Sequence, residues 1–111
     1  KMATTYKVLG QVNPSDTNNA NLYSVPSGTS TVISTLVITN VTATVAVARV
    51  YVRQAAAAAT TGNAIAYDVS VPANSLNTFT LGITMGATDV FTVRSATGDA
   101  LAFHLFGSEI S

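Results

Sequence analysis

Cysteine and tryptophan are both missing from this 111-residue sequence, and only 9% of it is charged. Without cysteine there is no disulfide frame and no thiolate metal site, though the cellular compartment cannot be read from that absence. An ordinary soluble domain carries about 25% charged residues. Here Lys and Arg number 5 and Asp and Glu number 5, so the formal net charge is zero. Such a balance gives nothing to draw nucleic acid or an anionic membrane, and near-zero net charge favours association over dispersion. No GxSxG, P-loop, GxGxxG or Cys/His nucleophile pair occurs, so no enzyme activity and no cofactor are expected. The opening KMATTYKVLG has no apolar core of a signal peptide, and Lys1 ahead of Met2 reads as an added residue before a native start. Residues 17–48 hold no charge, yet Pro26, Gly28 and interspersed Ser, Thr and Asn exclude a lipid-facing helix there.

What is present is alternation. Hydrophobic residues make up 48% of the chain, β-branched types abound, and period two dominates. Strands are expected near residues 5–12, 20–25, 31–40, 44–54, 65–71, 76–81, 90–95 and 100–106, with turn residues between them. Short strands at regular spacing predict an all-β fold, an antiparallel β-sandwich of about eight strands, with jelly-roll and immunoglobulin-like versions both open. One domain spanning 1–111 is the expected organisation. The exception is QAAAAATTG at 54–62, which reads as a short helical turn or ordered loop crossing between the sheets.

Alternation leaves apolar residues on both faces of several strands. Strand 31–40 offers Val32, Leu36 and Ile38 to one side and Ile33, Val37 and Val41 to the other. Strand 44–54 points Ala46, Ala48, Val50 and Val52 inward, and Val45, Val47 and Tyr51 outward beside Arg49 and Arg53. A sheet with one wet face alternates more cleanly, so burial against another subunit is expected. Polar candidates have plainer explanations. Asp89 fits a turn that Gly86 permits, accepting backbone N–H groups, and no second acid is spaced for catalysis. His104, the one histidine, cannot build a zinc site alone and reads as exposed or hydrogen-bonded. The loop Asp16–Asn21 has alternating oxygen ligands but lacks the glycine and closing glutamate of a calcium loop, so Asx-turn chemistry suffices. Arg49 and Arg53 are too few for a nucleic-acid groove. Their expected role is an inter-subunit salt bridge to Asp68 or Glu109, with an anion or glycan as the alternative. Asn40-Val41-Thr42 matches the glycosylation sequon, a weak signal in a chain this rich in Asn and Thr.

The stretches MATTYKVLGQVNP, LYSVPSGTSTVISTLVITN, LGITMGATDVFTV and FHLFGSEIS, in this order, cover most of the sequence. Together they resemble small virion proteins of tailed bacteriophages, particularly those infecting cyanobacteria. The likeness lies in an LY-x-VP strand leading to a long apolar strand that ends in Asn, then AN-x5-TLGIT-x3-TDV, then a terminal FGSEI. The chain departs from that pattern after Arg53, where Gln54 stands in place of a proline. The resemblance implies a β-sandwich component of the particle and leaves capsid, neck and tail open. It implies a capsid decoration or cement protein that self-associates, with a trimer favoured, and that binds virion proteins such as the major capsid protein. Assembly in the host cytoplasm and residence in the extracellular virion follow from the same likeness. The contact surfaces then expected are Val45, Val47, Arg49, Tyr51 and Arg53 on one strand and His104 and Phe106 on the last. The rival readings are a receptor- or glycan-binding tail module, against which the missing tryptophan counts, and a self-polymerising filament subunit.

Overall fold

The computed structural model describes residues 3–111; the reading of Lys1 and Met2 lies outside them. Eight strands form: β1 (Thr4–Val12), β2 (Ala20–Ser24), β3 (Ser30–Asn40), β4 (Ala46–Arg53), β5 (Ala64–Val71), β6 (Leu76–Met85), β7 (Val90–Ser95) and β8 (Leu101–Ile110). They make an antiparallel β-sandwich of two four-stranded sheets, ordered β1-β8-β3-β6 and β2-β7-β4-β5. First pairs with last: β1 with β8, β2 with β7, β3 with β6 and β4 with β5. That is the pairing of one long folded ribbon wrapped into two layers. No helix among the described residues is long and apolar enough to cross a membrane.

The core is filled by the inward residues of both sheets. Ile33, Leu36 and Ile38 of β3 and Leu101, Phe103 and Leu105 of β8 meet Ala46, Ala48 and Val50 of β4 and Phe91 and Val93 of β7. Small alanines on β4 leave room for Phe91 and Phe103, both fully buried. Strict alternation mis-sorts β3, however. A register shift between Ile33 and Thr35 inverts the parity, so Ile33 shares the buried side with Leu36 and Ile38 while Val32 and Val37 are turned outward and half-buried. Sequence period alone carries no trace of such a bulge.

Two strands run further than their patterns suggest. β6 continues past Leu81 because Gly82 takes a positive φ of 63° and forms a bulge within the strand. β8 continues through the FGSEI segment because Gly107 has no side chain where the Val32 carbonyl oxygen lies against it. The alanine-rich segment is a correction of a different kind. β4 and β5 are antiparallel neighbours in one sheet, so residues 54–63 form an extended hairpin connection and do not cross between sheets. The segment contains two single 3₁₀ turns, Gln54–Ala56 and Thr61–Asn63. Ala55 and Ala56 adopt φ of 53° and 58°, which breaks any continuous helix there.

Candidate interaction surfaces

The seven residues singled out as contacts divide between opposite sides of the sandwich. Val47, Arg49, Tyr51 and Arg53 alternate with the buried Ala48 and Val50 and so point outward from the β2-β7-β4-β5 sheet, with Val45 just before β4 at 62% exposure. His104 and Phe106 alternate with buried Phe103 and Leu105 and point outward from the β1-β8-β3-β6 sheet. The two groups therefore belong to two surfaces.

On the first surface the arginines are largely committed within the chain. Arg49 Nε donates to Asp68 Oδ1 at 2.7 Å, and its guanidinium lies 4.0 Å from the centre of the Tyr67 ring. The hydrogen bond from Arg49 holds the Asp68 carboxyl below its ordinary range. The expected inter-subunit bridge to Asp68 is thus an intra-chain one, because β4 and β5 are adjacent strands of one sheet. Arg53 donates to the Ala56 and Ala57 carbonyls and to Asn21 Oδ1, tying the 54–63 connection to β2. Tyr51 faces outward yet is only 5% exposed, so this strand offers Val45 and Val47 as its free apolar contacts.

The second surface is more apolar and almost without charge. Tyr6 and Val8 of β1 stand 84% and 47% exposed. Val8 is the register partner of Phe106 on β8, which in turn pairs with Thr35 on β3. A groove of about 450 Å3 runs between Tyr6, Val32, Ser34, Phe106 and Ser108, with Lys7 at its border as the one charged residue among those described. Further along, the Gln11 side-chain amide lies 3.0 Å from His104 Nδ1, the hydrogen-bonded role expected of that histidine. Tyr6, Val8 and Val32 were not among the expected contacts. Their signal was the Tyr-x-Val alternation ahead of Leu9, which puts two large apolar side chains on the side opposite the core.

The remaining polar candidates serve the fold. Asp89 Oδ2 accepts from Gly86 N at 2.9 Å, closing the turn as expected, and Oδ1 accepts from Ala55 N at 2.8 Å. Asp16 Oδ1 accepts from Asn18 N at 3.0 Å, an Asx turn. Asn40, in the sequon match, is 2% exposed. Its amide donates to the Thr44 and Val71 carbonyls, and its oxygen accepts from Thr42 N and Thr42 Oγ1. A side chain so enclosed is a clamp for the β3–β4 turn and is closed to a glycosylating enzyme. Across the sandwich, the Tyr23 hydroxyl donates to Glu109 Oε2 at 2.5 Å and lies 2.8 Å from Thr31 Oγ1, while Lys7 Nζ sits 3.3 Å from Glu109 Oε1. Burial, then the bond to Glu109, pushes the Tyr23 phenol up to about 12. The Tyr23 hydroxyl, then the Lys7 ammonium, holds the Glu109 carboxyl below its ordinary range. Among the described residues, no three of His, Cys, Asp and Glu are grouped to hold a metal ion.

No family model matches the sequence, and no curated protein matches it. Solved structures do resemble the fold. A chain of the acidic stable capsid structure of Helicobacter pylori bacteriophage KHP30 superposes with a TM-score of 0.56 at 14% identity, covering 100% of this chain and 94% of that one. Chains of infectious bursal disease virus, from the Gx strain and from a crystal structure of the viral particle, give TM-scores of 0.48 and 0.49 at 16% and 15% identity. Each covers 99% of this chain, which spans only 31% and 30% of their lengths.

Proposed function

We propose that this chain is a non-enzymatic virion structural protein of a bacteriophage, a decoration or cement subunit that self-associates and binds the outside of the capsid. The observation that carries this reading is the end-to-end likeness to one chain of a phage capsid structure, at 100% of this chain and 94% of that one. The first-with-last strand pairing supports a jelly roll, an architecture common among capsid domains.

The surfaces fit that role. One outer face carries Tyr6, Val8, Val32 and Phe106 with scarcely a charge, and the other carries Val45 and Val47 beside arginines already paired within the chain. A subunit repeated over a shell needs contacts that are individually modest, because many engage together. A closed oligomer, a trimer on the reading above, leaves one such face for its own kind and one for the shell. The test is the number of copies in purified particles of the encoding phage, counted by quantitative mass spectrometry. On the order of hundreds of copies supports the decoration role, whose binding strength comes from multiplicity. A handful moves the chain to a tail tip, and absence from the particle removes the reading.

A further inference from the structure

The sandwich has four sheet edges, and three of them are guarded. An edge strand presents unpaired N–H and C=O groups that invite another strand, so chains blunt it with charge, proline, bulges or brevity. β1 carries Lys7 and a register shift between Val8 and Gly10. β2 is five residues long and is also interrupted, between Asn21 and Tyr23. β5 carries Asp68 at a φ of 55° and is out of step with β4 at two places. β6 differs from all three. It is ten residues long, and it has no charge and no proline. From residue 69 to residue 88 the chain contains no charged side chain at all. Residues 76–80 pair with β3 without interruption, and the first irregularity is the bulge at Gly82.

We infer that the β6 edge pairs with the β6 edge of a second copy of this chain, antiparallel about a two-fold axis at Thr78. The register follows from the length of the regular stretch. Thr78 is the midpoint of 76–80, so centring the axis there pairs the largest number of residues before the bulge intervenes. Thr78 then faces its own counterpart, Leu76 faces Thr80, and Asn77 faces Phe79. Leu76, Thr78 and Thr80 share the solvent side of the sheet, where Leu76 is 52% exposed. Pairing therefore flanks an exposed leucine with a threonine methyl and sets threonine opposite threonine, a favourable cross-strand pair. A two-fold contact brings each residue near its own kind, which penalises any charged edge. An uncharged one meets no such repulsion, and the zero net charge of the chain adds none at longer range. A second copy is the occupant because two-fold pairing of this edge sets threonine against threonine and leucine against threonine and brings no like charges together. The contact uses an edge and leaves both outer faces free, so it can join two chains or two closed oligomers. It does not depend on the virion reading.

The absence of native cysteine makes the test direct. In Thr78→Cys the only thiol sits on the proposed axis, where directly opposed Cβ atoms lie about 4.5–5.5 Å apart, close to disulfide geometry. Thr84→Cys places the thiol on the same strand and side but beyond the bulge, far from its counterpart. Under mild oxidation, with unchanged β-sheet circular dichroism, Thr78→Cys should form a disulfide dimer on the order of tenfold faster than Thr84→Cys, reflecting effective concentration at the axis. Equal rates for the two variants would overturn the proposal, whatever mass the protein has in solution. Rapid crosslinking by a chain that is absent from virions would uphold the edge pairing and remove the decoration role.

Discussion

Replacing Asn40 tests how the β3–β4 corner is held. Its side chain makes four hydrogen bonds from a site only 2% exposed. Asn40→Ala deletes all four. The Thr44 carbonyl keeps the Thr42 hydroxyl at 3.0 Å, whereas the Val71 carbonyl loses its side-chain donor. At about 1 kcal/mol net per bond the four bonds come to about 4 kcal/mol, the penalty for the stranded Val71 carbonyl being roughly offset by the retained Thr42 contact. For a chain of this size that lowers the melting temperature by roughly 16 °C and the urea midpoint by roughly 3 M. Asn40→Asp is the sharper variant, because it keeps the shape and both acceptor functions. What it changes is the pair of N–H donors, which become an oxygen facing the Thr44 and Val71 carbonyls. It should destabilise at least as much as alanine in urea unfolding followed by circular dichroism. An aspartate variant within about 0.5 kcal/mol of the parent, the usual scatter of neutral surface changes, would refute the clamp.

Asp89→Ala removes the acceptor shared by Gly86 N and Ala55 N. It should cost about 1–2 kcal/mol, given its exposure, and speed hydrogen exchange at those two amides together; unchanged protection at Ala55 would sever the proposed tie to the 54–63 connection. The Tyr23–Glu109 contact sets two pH limits. The folded Glu109 carboxyl lies below its unfolded value, so its contribution is present above the unfolded value and lost as pH falls through the folded one. The folded Tyr23 phenol is raised from 10.0 to about 12, so its contribution is present below 10.0 and lost as pH rises toward about 12. In melting curves against pH, Tyr23→Phe should shift the acid limb upward and flatten the alkaline limb; unchanged limbs would contradict the contact. Val47→Asp and Phe106→Asp should each weaken association in sedimentation equilibrium while preserving β-sheet circular dichroism, and a variant that assembles normally removes that residue from a contact.

Much of the architecture was legible because inward and outward residues alternate cleanly on β4 and β8, where Ala46, Ala48 and Val50 and then Leu101, Phe103 and Leu105 mark the core. Alternation failed at bulges. Nothing in Ile33-Ser34-Thr35 announces that the parity inverts there, since a bulge depends on the partner strand as well as on its own residues. The glycines at 82 and 107 looked like strand ends because glycine usually punctuates, whereas here one makes a bulge and the other admits a neighbouring carbonyl. Contact surfaces were half legible. Phe106 was visible from its own strand, but its companions Val8 and Val32 come from strands distant in sequence and meet it only through the register of the sheet.

The ribbon pairing also governs when this chain can fold. The bond between Lys7 of β1 and Glu109 of β8 spans 102 residues, against 19 for that between Arg49 of β4 and Asp68 of β5. Closing the longer loop costs about 1.5 kcal/mol more in chain entropy. The β4–β5 hairpin is therefore the natural nucleus, with pairing spreading outward to the chain ends. During translation β1 leaves the ribosome first and waits for its partner until β8 has been made. A nascent chain in that interval holds β3 paired with β6 alone and its other edge open, so chaperone capture and yield should be more sensitive to changes in β8 than to equally buried changes in β5.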